Sequence, residues 1–256
     1  MREHEKFKQL VERGAELYLP QLSLDCVIFG FHENQLKVLL LKMHTRKDWA
    51  LPGGFVYKQE TLEVAASRVL KERTGLDNIF LQQFHTFSDP ARSNAAQAIR
   101  DFSTSERPID AGHWLAQRFI SVGFYALVDF TLATPRADEV SESCSWYDLD
   151  NIPPLMMDHR QILDKALETL RIQLNYQPIG KSLLPEQFTM PELQKLYETI
   201  LGVALDRRKF QRKMLGYHIL KRGEERRTGV AHKAPYLYRF DEKQYQQALR
   251  EGLHKW

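Results

Sequence analysis

Residues 54–76 carry the sequence feature that most restricts how this chain can fold. Gly54 is followed after five residues by Glu60, and seven further residues lead to a charged run that ends at Gly75. Within residues 61–74 the apolar side chains recur at helical spacing, and a glycine directly after such a run often ends a helix. The segment therefore predicts a loop, an amphipathic helix and a second loop, in that order.

The residues around this segment predict a domain that mixes strands with helices. A polar turn separates two apolar runs, at residues 22–30 and 36–43, and this arrangement predicts a β-hairpin. Further strands are predicted at residues 79–87, 116–130 and 144–149, and an amphipathic helix at residues 157–175. Residues 88–112 are polar and contain two prolines, so they predict a long loop with room for a short helix.

The segment that contains the predicted helix resembles the Nudix box. The matching positions are Gly54, Glu60, Arg68 and Gly75, with Leu51-Pro52-Gly53 directly ahead of them. The family pattern is Gly, five residues, Glu, seven residues, then Arg-Glu-apolar-x-Glu-Glu-x-Gly-apolar. The resemblance implies an α+β fold, with an α/β/α sandwich around a mixed sheet. In active members the carboxylates of the box hold Mg²⁺ or Mn²⁺ against a nucleoside diphosphate derivative, and the ions activate water.

Three positions of the predicted helix depart from that box in charge. Positions 69, 72 and 73 stand at i, i+3 and i+4 and share one helix face, and active relatives have glutamate at all three. Here they are Val69, Glu72 and Arg73, whose charges sum to zero, and an arginine cannot ligate a metal ion. We therefore expect no bound metal, no cofactor and no catalytic residue. Glu60 fits metal ligation and loop anchoring equally well.

Two competing interpretations keep other functions open. An active Nudix hydrolase of nucleoside-diphosphate derivatives would draw its carboxylates from the long loop, which contains Asp89, Asp101 and Glu106, and its C-terminal part would be an accessory domain. An RNA-binding accessory protein is the third hypothesis. The charges at positions 69, 72 and 73 favour a retained pocket without the chemistry.

Several residues are candidates for contacts to a small effector, because the resemblance implies a binding pocket and these residues would surround the box. They are Lys42, Trp49, Gly53, Gly54, Glu72, Arg73 and Arg92. Trp49 fits a place in the hydrophobic core equally well. Arg73 fits an ion pair with Glu72 as well as a contact to an anionic ligand.

The C-terminal part of the chain is basic, whereas the rest is acidic. From Gln177 onward there are 16 Lys or Arg and 9 Asp or Glu, a net charge of +7; the preceding residues hold the other 20 basic and 24 acidic residues, a net charge of −4. Helices are predicted at residues 190–201, 206–215 and 242–253, with strand-like pieces at residues 217–221 and 236–240. Helix, helix and hairpin is the order of a winged helix-turn-helix.

Residues 206–215 predict a recognition helix for the DNA major groove, with Asp206 as its N-cap. The candidate DNA contacts are Arg207, Arg208, Lys209, Arg212 and Lys213 on this helix and Arg226, Arg227 and Lys233 on the hairpin tip. A basic helix alone would equally well be a solvated face. The basic helix, the basic tip and the element order occur together, and their coincidence favours contacts to nucleic acid.

From about residue 22 to residue 240 the chain resembles the Nudix-related transcriptional regulators. The segments that carry the likeness include Asp25-Cys-Val-Ile-Phe-Gly30, the run from Trp146 to Leu155, and Asp158-His159. Known members respond to ADP-ribose-type nucleotides or, in a sugar-responsive branch, to L-arabinose, and the altered box is closer to that branch. The resemblance implies a homodimer whose effector shifts its affinity for operator DNA. The expected parts are an N-terminal helix (1–20), a Nudix-like effector-binding domain (21–176) and a winged-helix domain (177–256).

The remaining sequence features predict a cytoplasmic protein without a membrane partner. The N-terminal residues are charged throughout and have no signal-peptide core. No apolar run approaches the ~20 residues that a membrane span needs. Cys26 and Cys144 lie in apolar, strand-like stretches without metal-type spacing, so we expect them to be small packed residues.

Overall fold

The computed structural model describes residues 2–44, 46–77, 79–104, 107–137, 141–226 and 235–253. The chain divides into two compact units. The first comprises Met1–Phe29, Lys37–Ala126 and Leu132–Ala166, and the second comprises Gly30–Leu36, Leu127–Thr131 and Leu167–Trp256. Within the part of the chain that the structure describes, no helix is long and apolar enough to cross a membrane.

The first two thirds of the chain contain both helices and strands. They are α1 (Arg2–Leu17), β1 (Tyr18–His32), β2 (Gln35–Met43), β3 (Trp49–Ala50), β4 (Gly53–Tyr57), α2 (Leu62–Thr74), β5 (Phe80–Phe87), α3 (Ala95–Phe102), β6 (Ile120–Asp129), β7 (Ser141–Asp148) and α4 (His159–Gln173). The chain continues with β8 (Phe188–Thr189), α5 (Met190–Leu201), α6 (Arg207–Gly216), β9 (Leu220–Arg226), β10 (Tyr236–Phe240) and α7 (Glu242–Glu251).

A seven-stranded sheet supports the first unit. Its strands follow the order β3-β2-β1-β6-β5, and β4 and β7 pair antiparallel with β1 and β2, respectively. Residues 26–29 of β1 and 124–128 of β6 are almost completely buried. Strands that are buried on both faces appear in a sequence as continuous apolar runs, which is how both were recognised.

Helix α2 begins and ends where its sequence predicts. The side chain of Thr61 accepts a hydrogen bond from the backbone N–H of Val64 at the N-terminus, and Gly75 closes the C-terminus with a positive φ of 74°. Glycine adopts this left-handed conformation without the steric penalty of a Cβ. The inward face carries Ala65, Ala66, Val69 and Leu70, all buried. Because this face is buried in the core, the opposite face of α2 points away from it.

Helix α1 packs on the segment that follows α3. A Cβ on Gly14 would lie 2.0 Å from the ring of Trp114, so only glycine permits this close approach. The His113 ring lies 3.0 Å from the carbonyl of Val11, and Arg107 forms an ion pair with the Glu12 carboxylate at 2.7 Å. The N-terminal helix is therefore an integral part of the first unit.

The second unit contains a three-stranded sheet in the order β8-β10-β9 and the helices α5, α6 and α7. Thr189 and Glu192 form a reciprocal capping box at the start of α5, in which each side chain satisfies a backbone N–H of the other. The core between α5 and α6 is formed by Leu193, Leu196, Ile200, Phe210 and Met214, all buried. The predicted order of helix, helix and hairpin is thus observed.

Some boundaries differ from the sequence-based expectation. The predicted loop 88–112 contains α3, and the predicted strand 116–130 begins only at Ile120. The strand expected at 217–221 instead spans Leu220–Arg226. The segment before the box forms β3, and the first loop predicted for the box begins as strand β4 (Gly53–Tyr57). Two-residue strands such as β3 are set by pairing with distant residues and leave no local periodicity. Helix α3 lies between polar segments, and its apolar residues recur at helical spacing along one face only.

Candidate functional site

A cavity of about 400 Å³ lies in the first unit, beside α2. Its walls come from α1, β1, β4, α2, α3 and the start of α4. This volume is within the usual range of pockets for small molecules. Of the residues predicted to contact an effector, it is lined by Gly53, Gly54, Glu72, Arg73 and Arg92.

The three altered box positions all line this cavity. Val69 is buried beneath it, Arg73 is buried at its wall, and Glu72 is partly exposed. The Glu72 carboxylate lies 4.0 Å from the Arg73 guanidinium and 3.8 Å from that of Arg68. The wall therefore carries one carboxylate between two guanidinium groups.

Glu60 anchors the loop that precedes α2. Its carboxylate accepts hydrogen bonds from Arg68 at 2.7 and 3.2 Å and from the backbone N–H of Tyr57 at 2.8 Å. Burial alone would raise the pKa of Glu60, but these hydrogen bonds hold the pKa below its ordinary value. The Arg68 guanidinium also donates to the Phe55 carbonyl at 2.9 Å. Of the two roles open to Glu60, loop anchoring is the one its contacts show.

Gly53 and Gly54 occupy places where larger residues would collide. Gly53 pairs with Asp25 across β4 and β1, and a Cβ there would lie 2.7 Å from the carbonyl oxygen of Leu24. A Cβ on Gly54 would lie 3.3 Å from Val69. The two glycines bring the β4 backbone to the cavity wall.

Aromatic rings form another part of the wall. The rings of Tyr18 and Tyr57 stack at a centroid distance of 4.7 Å, and Tyr18 lies 5.6 Å from Phe55. Phe55 in turn lies 5.4 Å from Phe119, and the Arg68 guanidinium lies 4.7 Å above the Tyr57 ring. The cavity therefore combines an aromatic surface with guanidinium groups.

A buried charged cluster lies at the base of the cavity. Arg92 donates to both carboxylate oxygens of Asp158, at 2.8 and 3.2 Å, and lies 3.4 Å from Asp25. Ser121 donates to Asp25 at 2.6 Å, and the Nδ1 atom of His159 accepts from the Leu51 N–H at 2.9 Å. Arg92 was predicted to face a ligand, but most of its hydrogen-bond donors contact these two carboxylates.

Lys42 and Trp49 are not among the residues that line the cavity. They are neighbours in the β2–β3 pair, with the Lys42 ammonium 5.6 Å from the Trp49 ring centre. The Lys42 ammonium also donates to the backbone carbonyl of Lys47, and Trp49 packs edge-on against Tyr147 at 4.7 Å. The structure thus gives Trp49 the packing role that its sequence position also allowed.

The carboxylates that could serve an enzyme are engaged with other groups. Asp89 caps a short 3-10 turn through the backbone N–H of Ala91, and Asp101 forms an ion pair with Arg46 at 2.9 Å. Glu106 lies outside the described residues. Within the described ranges, no group of three or more His, Cys, Asp and Glu side chains is arranged to hold a metal ion.

Helix α6 exposes its cations. Arg207, Arg208, Lys209, Arg212 and Lys213 are exposed, whereas Phe210 and Met214 of the same helix are buried in the core. The N-cap is Asp206, whose carboxylate accepts from the Lys209 N–H at 2.8 Å. Arg226 ends β9, and its backbone pairs with Tyr236. Arg227 and Lys233 lie outside the described residues.

Residues that pair across long distances in the chain were not predicted from the sequence. These include Asp25, Arg46, Asp158 and His159 near the cavity. One signal was visible: Asp25 interrupts an otherwise apolar strand, and a carboxylate there requires buried partners. The partners themselves are 67 and 96 residues away, at Arg92 and Ser121. Nothing in the local pattern identifies them.

Two domain families match this chain. Residues 19–167 match the NUDIX domain, and residues 180–240 match the NrtR DNA-binding winged helix domain. The ADPR responsive transcriptional repressor NtrR of Acinetobacter baylyi is 31% identical over 229 residues, which cover 86% of this chain and 82% of that protein. An ADP-ribose pyrophosphatase of Methanocaldococcus jannaschii is 30% identical over 159 residues, covering 61% of this chain and 80% of that protein.

A solved structure is similar over both units. The crystal structure of Shewanella oneidensis NrtR complexed with a 27mer DNA has a TM-score of 0.69 and 26% sequence identity, and the match covers 88% of this chain and 96% of that one. The fold and the matches define a Nudix domain joined to a DNA-binding winged helix, as the sequence predicted. The chain belongs to the NrtR family of Nudix-related transcriptional regulators.

Proposed function

We propose that this protein senses an ADP-ribose-like nucleotide sugar in the cavity and binds operator DNA through α6. The observation that carries the proposal is the α2 face at the cavity. It presents Val69, Glu72 and Arg73, with no net charge, where a hydrolytic box presents three glutamates. The space for a ligand is retained while the charge that would attract Mg²⁺ is lost.

The lining of the cavity fits a nucleotide. Four arginines and three carboxylates line it, so the wall has one more guanidinium than carboxylate; they are Arg46, Arg68, Arg73, Arg92, Asp25, Glu72 and Asp101. Guanidinium groups recognise phosphates through paired hydrogen bonds. Aromatic side chains such as Tyr18 and Phe55 provide faces on which a purine can stack. The named function of the A. baylyi relative, an ADPR responsive repressor, supports the same ligand class over a free pentose.

The DNA contacts are proposed for the exposed cations of α6. A helix that carries Arg208 and Arg212 one turn apart, and Lys209 and Lys213 beside them, offers charges to phosphates along the groove. Arg207 at the start of the helix and Arg226, Arg227 and Lys233 of the wing complete the proposed set. The relative crystallised with a 27mer DNA supports this assignment.

We further propose a homodimer, a cytoplasmic location and a division into three parts. These are an N-terminal helix (1–20) that packs on the effector-binding domain (21–176), and a winged-helix domain (177–256). Linkage then requires that a ligand which weakens DNA binding is itself bound more weakly when DNA is present, by the same factor.

The central experiment measures both affinities in one system. The protein is titrated into labelled DNA from the upstream regions of its own and neighbouring genes, with and without ADP-ribose. We expect tight, salt-sensitive binding to one fragment and a change of its Kd when ADP-ribose is added. The variant Arg73→Met, which keeps side-chain length and removes the guanidinium, should reduce this response and leave the Kd without effector unchanged. A Kd that ADP-ribose does not alter contradicts the proposed effector.

A second assay addresses hydrolysis. We expect no Mg²⁺-dependent cleavage of ADP-ribose, because α2 offers a single carboxylate flanked by two guanidinium groups. The similarity to an ADP-ribose pyrophosphatase favours the alternative, an active hydrolase with an accessory C-terminal domain. Turnover that Glu72→Gln abolishes would establish that alternative.

A further inference from the structure

One face of α3 lines the cavity. Asn94, its N-cap, and Gln97, Ala98, Asp101 and Phe102 stand at i, i+3, i+4, i+7 and i+8, and all five line the cavity. Residues with this spacing form one stripe along a helix. The polar part of the stripe is therefore presented to whatever the cavity binds.

A single carboxylate organises this polar part. Asp101 accepts from the Arg46 guanidinium at 2.9 Å through one oxygen and from the Gln97 amide at 2.7 Å through the other. The side chains of Arg46 and Asp101 are 14% and 13% exposed, so the ion pair is largely shielded from water. A second carboxylate, Asp48, accepts from the same guanidinium at 3.2 Å and is not part of the cavity lining.

The arrangement leaves one buried donor without a partner. The Nε atom of Arg46 is buried and finds no acceptor among the described residues. Leaving a buried N–H without an acceptor costs about 1–3 kcal/mol, so native sites supply one. Each Asp101 oxygen also keeps lone-pair capacity beyond the one hydrogen bond it accepts.

The local charge decides what kind of group fits here. One guanidinium, Arg46, faces two carboxylates, Asp48 and Asp101, so this cluster has a net charge of −1. The other arginine cluster, Arg68 and Arg73 with Glu60 and Glu72, has a net charge of zero. The net negative charge of the first cluster disfavours a phosphate there, compared with the second cluster, which has no net charge. A hydroxyl group, by contrast, can accept from Nε and donate to the carboxylate.

We propose that Arg46, Gln97 and Asp101 form a subsite for the vicinal hydroxyls of a sugar ring, which leaves the diphosphate to Arg68 and Arg73. The assignment rests on the proposed function for the identity of the whole ligand and deepens it by orienting that ligand. The assignment makes Asp101 a specificity-determining residue. A buried acceptor discriminates strongly against a ligand that lacks the matching donor, whereas an apolar wall discriminates only weakly against a ligand that carries an added group.

The experiment is a matrix of variants and ligands measured by calorimetry. The variants are Asp101→Asn, Arg46→Lys and, as matched control, Asp48→Asn, which changes the other carboxylate on the same guanidinium. The ligands are ADP-ribose, ADP and 2′,3′-dideoxy-ADP, which has neither the second ribose nor a vicinal diol. Thermal unfolding of each variant verifies that it is folded, and Gln97→Ala provides a milder variant at the subsite.

We expect Asp101→Asn to weaken ADP-ribose binding about tenfold or more, as for a lost hydrogen bond to a charged group, and to leave dideoxy-ADP binding unchanged. Arg46→Lys, which lacks Nε–H, should show the same pattern, and Asp48→Asn should change the affinities less than twofold. The effect of Asp101→Asn on the affinity for ADP identifies which sugar occupies the subsite. This affinity is unchanged if the terminal ribose occupies the subsite and weakened if the adenosine ribose does, and both outcomes support the subsite.

Two results overturn the subsite. The first is an equal loss of affinity for all three nucleotides, which indicates a general packing defect; the second is an equal effect of Asp101→Asn and Asp48→Asn. Failure of the wild-type protein to bind ADP-ribose contradicts the proposed effector separately, and the subsite is then decided with free D-ribose and L-arabinose by thermal shift. A pentose that stabilises the wild type but not Asp101→Asn supports it, and no stabilisation by either pentose overturns it.

Discussion

The two units of this molecule use arginine in opposite ways. In the first unit Arg92 is only 3% exposed at its side chain and is held by the carboxylates of Asp158 and Asp25. In the second unit Arg208 and Arg212 project from α6 into solvent. The buried guanidinium organises a cavity, whereas the exposed ones are available to a polyanion. The same residue type is therefore held in buried ion pairs in one unit and exposed on a helix surface in the other, where we propose that it contacts DNA.

The largest expected difference between the units is in stability. Replacing Arg92 by Met should lower the free energy of unfolding by about 3–5 kcal/mol, because the carboxylates of Asp25 and Asp158 would stay buried without their counter-charge. The control Arg208→Met, on the exposed face of α6, should change it by less than about 0.5 kcal/mol. Urea unfolding followed by circular dichroism measures both. Equal losses for the two variants would remove the contrast.

The exposed arginines should dominate in the binding assay. The double variant Arg208→Ala/Arg212→Ala should weaken operator binding about tenfold or more and reduce the salt-dependence slope by about 2, one unit for each lost phosphate contact. The matched control is Lys243→Ala/Arg250→Ala on α7, which removes the same charge from exposed positions. Fluorescence anisotropy at several salt concentrations gives both slopes. A similar loss from the α7 variant would mean that net charge, not the recognition helix, sets the affinity.

A smaller effect is expected where the recognition helix begins. Asp206→Ala removes the side-chain acceptor for the Lys209 N–H and should lower the free energy of unfolding by about 1 kcal/mol, the usual value of an N-cap. Asp206→Asn keeps an acceptor at the same place and should restore most of this loss. Thermal unfolding of the pair distinguishes a capping role from a charge effect, since both variants remove the carboxylate charge. Equal destabilisation by both would contradict the capping role.

The contrast between the units also explains what the sequence could predict. The charge stripe of α6, the box around α2 and the winged-helix order depend on local spacing, and their elements lie close to the predicted boundaries. The contacts at the cavity depend on residues far apart in the chain, such as Arg46 and Asp101 or Arg92 and Asp158. No periodicity connects such pairs. Arg92 was a candidate because of its place after the box, yet its buried ion pairs became visible only in the folded chain.

Helix α3 shows where sequence-based prediction stopped. The sequence allowed a short helix within residues 88–112, but the polar residues that α3 presents to the cavity, Gln97 and Asp101, are ordinary surface residue types. The helical stripe becomes a recognisable pattern only when the cavity is placed beside it. The polar loop that offered little to sequence analysis thus supplies the proposed specificity of the site.

The last expected effect is a pH dependence, and it concerns His159 in the buried cluster of the first unit. Burial lowers its pKa below the ordinary value near 6.5, although the nearby Asp25 and Asp158 carboxylates oppose this. Its Nδ1 already accepts from Leu51, so the folded state holds the neutral ring. The unfolded chain binds a proton more readily, and stability that is complete above about pH 6.5 should therefore decline as the pH falls below it.

Removing this titration should flatten the pH dependence. His159→Asn keeps an acceptor, its Oδ1, near the place of Nδ1 but cannot bind the proton, so its free energy of unfolding should change less between pH 7 and pH 5 than that of the wild type. The difference in slope is at most about 1.4 kcal/mol per pH unit, the limit for one proton. If this variant and the wild type had equal slopes, the buried cluster would not be the source of acid sensitivity, and the contrast between the units would rest on their arginines alone.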